Sequence, residues 1–376
     1  MQGSQKIALQ LLEGLPSDKF EAWAGAPFDT EFLQNARQQA PTLDFQLPTA
    51  LRSYQGGMLR KHPFGLLWLF FRYLAPFWRR AARLLRKNRI ALIYAGNERC
   101  LFFLGIPARW AGIPVVWHIQ SGFRRGRPWL HRLLARLATH GVAVSEAVRE
   151  DAKQVLGERW ASRIEVVHNG IGDLDMPVCN KPENVLTLLF AGSLIPEKGL
   201  HVLVEALRNT QGLPVWQLWV AGRFREAWYE NRVRSMADGL PVQFLGFRDD
   251  LPQLLSASDI LIVPSIEKAF FPKIGEFRWK EGFNLVALEG MRAGIPVIAS
   301  ATYGLKEVVA DRETGLFFTP GNPTDLGEKL AGLMADPVLR TEMGAAGRKR
   351  FLQYFTLAKM QERFNTLFAQ KLGTTV

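Results

Sequence analysis

The chain has 376 residues, 47 Lys and Arg against 35 Asp and Glu, a net charge of +12, and 48% hydrophobic residues. That length exceeds one comfortable core and suits two domains, and an ordinary apolar fraction without repeats excludes a disordered or fibrous chain. The two cysteines, Cys100 and Cys179, exclude a disulfide scaffold and suit a reducing cytosol.

The first stretch, MQGSQKIALQ, lacks the charged start and apolar core of a secretory leader. Residues 6–15 predict a helix. Residues 1–175 carry 24 Lys and Arg against 14 Asp and Glu, so +10 of the +12 belongs to the first half. Most of it lies in residues 51–89, and no acid stands between Asp44 and Glu98. The apolar run 64–78 is broken by Arg72 and Pro76 and falls short of the ~20 residues that a spanning helix needs. Aromatics beside Arg and Lys suit a helix lying on an anionic leaflet. A core helix followed by a solvated basic helix is the alternative. No nucleic-acid-binding motif is present, so nucleic acid is not expected as a partner.

Strands then alternate with helices, the pattern of a parallel α/β sheet. Strands are expected at 90–95, 113–119, 141–145 and 163–171, with helices at 99–111, 128–139 and 146–156. The polar stretch GDLDMPVCNKPEN (172–184) reads as a linker. Strands resume at 185–192, 216–222, 242–246, 259–265 and 296–300. Helices are expected at 199–209, 226–238, 251–256, 284–293, 325–335, 337–354 and 357–371. This gives a first domain over 1–174, a second over 182–355, and a closing helix over 356–376 that packs back toward the first. Two doubly wound domains place a ligand cleft at the carboxyl ends of their strands.

The chemistry concentrates in KEGFNLVALEGMRAGIPVI (280–298). Gly282 and Asn284 suit a helix start. The first free amides would come from Phe283, Asn284 and Leu285, a place for phosphate through donors and dipole. Glu281 just before the helix and Glu289 about one and a half turns in bracket that anion site, placed to grip sugar hydroxyls and a ribose diol. A diphosphate between two sugars is a nucleotide-sugar. AGSLIPEKG (191–199) puts Lys198 at a helix start, a point charge for phosphate. LGFRDD (245–250) puts Phe247 at a strand end, where a base can stack. Asp173-Leu174-Asp175 has the form of a metal-binding D-x-D but sits in the linker, and a solvated linker is the favoured reading.

Taken together, EGFNLVALE, SLIPEKG, LPQLLSASDILIVPS, GIPVIAS, ETGLFF, VVHNGI and SEAVRED resemble the retaining GT-B glycosyltransferases of family 4. The resemblance implies an α/β fold of two Rossmann-like domains facing across a cleft. It implies that Glu281 meets the donor sugar, that Gly282, Phe283, Asn284 and Leu285 hold the diphosphate, and that Glu289 holds the ribose. Lys198 would neutralise the leaving group. His118 would face the donor sugar, and Gly3 would end a glycine turn near the phosphate. Ser193 stands where the family often has arginine, so Arg223 or Arg225 is expected to substitute. The family's first strand precedes the glycine turn, and its lack would leave a sheet edge open. Residues 266–280 read as an insertion, either a lid or a surface loop.

The expected activity is sugar transfer from a nucleoside diphosphate to a hydroxyl, with retention, no cofactor and no metal. The expected acceptor is a bacterial surface glycan or glycolipid, met at the inner face of the cytoplasmic membrane. An epimerase or hydrolase on the same fold, or a non-catalytic nucleotide-sugar-binding protein, are the alternatives.

Overall fold

The computed structural model of the chain describes residues 3–26, 30–52, 68, 70–123, 128–179, 184–271 and 275–373. Much of the basic and aromatic run, residues 53–67 and 69, lies outside the described residues.

In the first half, α1 (Gly3–Glu13) leads to β1 (Ala24–Ala26), α2 (Glu31–Ala36), β2 (Thr42–Asp44) and α3 (Thr49–Arg52). A π-turn at Phe70–Leu74 enters α4 (Ala75–Lys87). Then follow β3 (Ile93–Ala95), α5 (Glu98–Ala111), β4 (Val115–Ile119), α6 (Pro128–Ala135), β5 (His140–Ala143), α7 (Glu146–Leu156), α8 (Glu158–Ala161) and β6 (Ile164–Val166). Local chemistry sets the helix ends. Asn97 and Ser145 cap α5 and α7 by accepting the amides of Cys100 (3.1 Å) and Val148 (3.2 Å). Gly112 closes α5 in the left-handed region at φ 74°.

Strands β3-β4-β5-β6 form one parallel sheet in that order. All five residues of β4 are buried, as expected for a parallel strand covered on both faces. Its period of two sorts them. Val115, Trp117 and Ile119 join a core with Phe77, Trp78 and Leu101 of α4 and α5. Val116 joins a second core on the other face, with Ile7 and Leu11 of α1. His118 shares that face.

β1 and β2 form a two-stranded parallel sheet, and among the described residues they pair with no other strand. Strand β3 ends the four-stranded sheet. Between β1 and β3 lies a cavity of about 1250 Å³, lined by residues of α1, by Ala24–Ala26 and by Leu92, Ile93 and Tyr94.

The second half runs β7 (Leu186–Ala191), a 3₁₀ turn (Pro196–Lys198), α9 (Leu200–Asn209), β8 (Trp216–Ala221), α10 (Ala227–Ala237), β9 (Val242–Gly246), α11 (Leu251–Ser256) and β10 (Ile260–Val263). It continues with β11 (Lys268–Phe271), β12 (Gly275–Arg278), α12 (Leu285–Arg292), β13 (Val297–Ser300), α13 (Leu305–Val308), β14 (Gly315–Phe318), α14 (Pro323–Ala335) and α15 (Pro337–Tyr354). Its parallel sheet has the order β14-β13-β10-β7-β8-β9. The chain winds outward from β7 in one direction and from β10 in the other, so the β7/β10 boundary is the topological switch point. The insertion folds as an antiparallel hairpin, β11–β12. Its Phe271 packs on His201, Trp228 and Tyr229 of α9 and α10.

The last helix, α16 (Leu357–Leu372), returns to the first sheet, where Met360, Phe364, Leu367 and Phe368 complete the α1 core. The chain thus crosses between the halves at Ile171 and again at Thr356, and these two strands of chain bridge each other.

Candidate active site

The site assembles at the switch point of the second sheet. The loop after β7 carries Ser193 and Lys198, the loop after β10 carries Ser265, and the hairpin returns the chain to Glu281. Gly199 lets two of these loops touch: a Cβ there would lie 1.8 Å from the Pro264 carbonyl oxygen, and its φ is +71°. Glu281 is buried. Its Oε2 pairs with the Lys198 ammonium, and it accepts from Ser265 Oγ at 3.1 Å and Asn284 Nδ2 at 3.5 Å. Sequence motifs assign Lys198 and Glu281 separate tasks, whereas the fold joins them in one ion pair, with Glu281 buried and Lys198 partly exposed. Such a pair is tolerable only because further hydrogen bonds satisfy the carboxylate.

Asn284 caps α12, its Oδ1 accepting the Ala287 amide at 3.0 Å. Among the described residues, the amides of Leu285 and Val286 meet no acceptor. Glu289 lies one helical turn further on. Burial pushes its carboxyl above the usual carboxylate range, with Lys6 and Arg292 pulling the other way. Lys6 belongs to α1, the helix that Gly3 opens, so the first half reaches Glu289.

His118, at the end of β4, is 1% exposed. Its Nδ1 faces the Tyr94 hydroxyl at 2.5 Å and the Gln120 side-chain amide at 3.3 Å. The Gln120 group is a donor, so Nδ1 accepts and the proton sits on Nε2. Nε2 is buried without a partner among the described residues. Burial pushes the imidazole pKa down to about 3. His118 is therefore a neutral donor, not a cation. The phenol of Tyr94 is pushed up, first by burial, and stays protonated.

Ser193, Arg223 and Phe247 form a neighbouring rim. The Leu194 amide donates to the Arg223 carbonyl at 3.0 Å, which draws the turns after β7 and β8 together. The Arg223 guanidinium lies over the Phe247 ring at 5.1 Å from its centroid, and Phe247 is 65% exposed. Arg225 is exposed.

The two halves are in contact across this site. A Cβ on Gly282 would fall 2.2 Å from the Gln120 carbonyl oxygen of the first half, and within the second half one on Gly304 would fall 2.0 Å from the Gly282 carbonyl oxygen. Ser145 Oγ donates to the Gly282 carbonyl at 2.9 Å. Phe283 stacks on His168 at 5.5 Å. Glu307 of α13 accepts the Glu146 and Ala147 amides at the start of α7, both at 2.9 Å, and His168 Nε2 at 2.9 Å. Burial would raise its pKa, but these hydrogen bonds outweigh it and hold the carboxyl below its ordinary value.

Asp173 is engaged by Arg348, with Nη2 at 2.9 Å from Oδ2. Among the described residues no three His, Cys, Asp or Glu side chains gather as a metal would require. Sequence motifs single out Glu281, Lys198, His118, Asn284 and Glu289. They assign no role to Tyr94, Gln120, Ser265 and Glu307, which meet the others only through the fold, although Ser265 closes the LPQLLSASDILIVPS motif.

Residues 1–173 match the family described as Glycosyltransferase Family 4, and residues 173–350 match Glycosyl transferases group 1. The phosphatidyl-myo-inositol mannosyltransferase of Mycobacterium leprae is 30% identical over 61% of this chain and 57% of its own length. Across the first curated relatives the match spans only 54% to 62% of their length. A UDP-Gal:alpha-D-GlcNAc-diphosphoundecaprenol alpha-1,3-galactosyltransferase of Escherichia coli is 23% identical over 98% of this chain and 94% of its own. Among solved structures, Anabaena HepE in complex with UDP superposes with a TM-score of 0.78 at 21% identity, covering 98% of this chain and 96% of that one.

Proposed function

This chain belongs to the GT-B glycosyltransferases of family 4 and group 1, and on that premise we propose that it moves a sugar, with retention, from a nucleoside-diphosphate sugar to a hydroxyl of a glycan or glycolipid. The observation that carries the reading is the Glu281 cluster at the switch point, where Lys198, Ser265 and Asn284 fix one carboxylate beside the open amides of α12.

In this reading the diphosphate sits on the Leu285 and Val286 amides, with the dipole of α12 favouring its charge. Glu281 grips the donor sugar's hydroxyls and Glu289 the ribose. The ammonium of Lys198 serves both Glu281 and the leaving phosphate. The His118 Nε2–H donates to a sugar hydroxyl from the first half. Phe247, with Arg223 behind it, offers a stacking face for the base. This reading gives no carboxylate the part of nucleophile: the acceptor attacks from the leaving-group face and the departing phosphate takes its proton. Catalysis is then positioning plus stabilisation of the leaving charge, with no cofactor or metal called on.

A lipid-bearing acceptor is supported by the substrates named for the mycobacterial and Escherichia coli relatives. An exposed aromatic group agrees with it. Phe102 and Trp110 flank the buried Trp78 at 6.5 and 6.3 Å, and Trp68 and Phe71 are exposed nearby in the chain. The exposed Arg79, Arg83, Arg86 and Lys87 of α4 add positive charge. No described helix is long and apolar enough to cross a membrane. The contact that suits these side chains is peripheral, on the anionic surface of the cytoplasmic leaflet.

The test is release of nucleoside diphosphate from a panel of UDP-, GDP- and ADP-sugars with a lipid-linked acceptor. Acceptor-dependent release of one nucleotide, with the anomeric configuration kept in the product, supports the proposal. No release from any donor, or inversion, refutes it.

A further inference from the structure

We propose that Lys280 and Asp151 are a positioning pair that sets the loop after His118 against the segment carrying Glu281. Asp151 lies on α7 and is 4% exposed. Its Oδ2 accepts the Phe123 amide at 2.5 Å, and its Oδ1 pairs with the Lys280 ammonium. One buried carboxylate therefore holds both the loop that leaves β4 and the residue next to Glu281.

The surroundings leave this contact little slack. A Cβ on Gly122 would fall 2.6 Å from Lys280 Cδ, and one on Gly282 would fall 2.2 Å from the Gln120 carbonyl oxygen. Gln120 in turn touches His118 Nδ1 at 3.3 Å. Ser145, at the start of the same helix α7, holds the Gly282 carbonyl. Lys280 also lies over the Tyr303 ring at 4.9 Å, and Tyr303 is itself held at the unusual φ of +22°. Burial would lower the Lys280 pKa, but Asp151 and Tyr303 outweigh it, so the ammonium stays charged. Its charge is engaged by Asp151, which distinguishes it from Lys198, whose partner Glu281 belongs to the donor site. Breaking the pair from one side would strand a buried charge and let the loop after His118 shift. A displacement of about 1 Å at a reacting centre costs on the order of 100-fold in rate.

The role as a positioning pair rests on the donor reading above, and the experiment separates the two. Lys280→Met, Asp151→Asn and the double variant are compared with wild type and with Lys280→Arg. Asp151→Asn is isosteric and carries the test if Lys280→Met does not fold. The expected result is a fall of about 10- to 100-fold in kcat, with nucleotide affinity within about threefold. The double variant should lose little more than the worse single one, because the two act as a unit, and Lys280→Arg should retain most activity. Hydrogen exchange at the Phe123 amide and at residues 281–283, read without ligand, should quicken in Lys280→Met. Multiplying losses in the double variant, or kcat per folded molecule unchanged in the singles, would overturn the proposal. If wild type turns over no donor, the functional reading fails while exchange still decides the pair: faster exchange supports it, unchanged exchange overturns it.

Discussion

At the residue scale, His118 shows how burial fixes a chemical role. With a folded pKa of about 3 against an ordinary 6.5, its ring stays neutral in the fold through the physiological range. The unfolded chain takes up that proton more readily, so stability from this residue is full above pH 6.5 and is lost as pH falls toward 3. The contribution is roughly 3–5 kcal/mol, at about 1.4 kcal/mol for each pH unit between the two pKa values. Urea midpoints measured from about pH 7.5 to about pH 4.5 should fall steeply in wild type and less steeply in His118→Asn. Equal slopes would exclude this origin. Glu281 and Lys198 make a second prediction. Glu281→Gln should cut kcat by about 100- to 1000-fold, the range found when one pre-organised group is removed. Lys198→Ala should do so to a similar degree. Steady-state kinetics with the best donor would show it, and a loss under about threefold in either variant would remove that residue from the chemistry. These residues were legible in sequence because they sit in compact motifs at strand ends. The role of Gln120 was not, and neither was that of Ser265, though its motif was quoted, since a glutamine after a strand and a serine closing one acquire a partner only when distant loops converge.

At the element scale, the alternation of apolar runs predicted nine of the ten strands of the two main sheets, because a parallel strand covered on both faces must be apolar throughout, but it ran β6 on to 171 and passed over the edge strand β14 (Gly315–Phe318). β1 and β2 escaped that reading, since three residues each carry no detectable period. The insertion at 266–280 left lid and loop open. It is a hairpin held by Phe271 against α9 and α10, a contact that no local pattern announces. The junction of α7, α12 and α13 is tightly constrained. Gly282→Ala puts a methyl group 2.2 Å from the Gln120 carbonyl oxygen, so the halves must part or the helix start must shift. We expect a loss of about 1–3 kcal/mol in urea unfolding and a larger proportional loss in turnover. An unchanged kcat would contradict the contact. Glu307 acts at the same junction through its hydrogen bonds to the start of α7. Its folded pKa is depressed, so its share of stability holds above the ordinary carboxylate pKa and is lost as pH falls through the lower folded value. Glu307→Gln should blunt the acid-induced rise in hydrogen exchange at 146–148.

At the scale of the whole molecule, two features organise the fold. One is the return of α16 to the first sheet. Phe364 packs on both Tyr94 and His118, at 5.9 and 5.3 Å, so the chain's last helix supports a residue of the cleft. Amphipathic spacing predicted the helix, and the return toward the first domain that was expected of it runs through the two crossings at Ile171 and Thr356. The other is charge. The excess of the first half reappears as the exposed arginines of α4 beside exposed aromatics. The proposed peripheral contact predicts binding to vesicles containing anionic lipid that weakens as salt rises toward about 0.5 M, because the Debye length shrinks below about 5 Å, and no binding at low salt would refute it. Trp110→Ala should weaken it further. Sedimentation with vesicles reads both effects, and salt-independent binding would assign the contact to apolar insertion alone.

The donor site is tested most directly by backbone hydrogen exchange at Leu285 and Val286 with UDP, GDP or ADP added. A diphosphate seated on α12 means that one of these nucleotides slows exchange at those two amides, and that Lys198→Ala diminishes the slowing. Unchanged exchange with all three nucleotides, in protein that still cleaves a donor, would place the diphosphate somewhere else and contradict that seat.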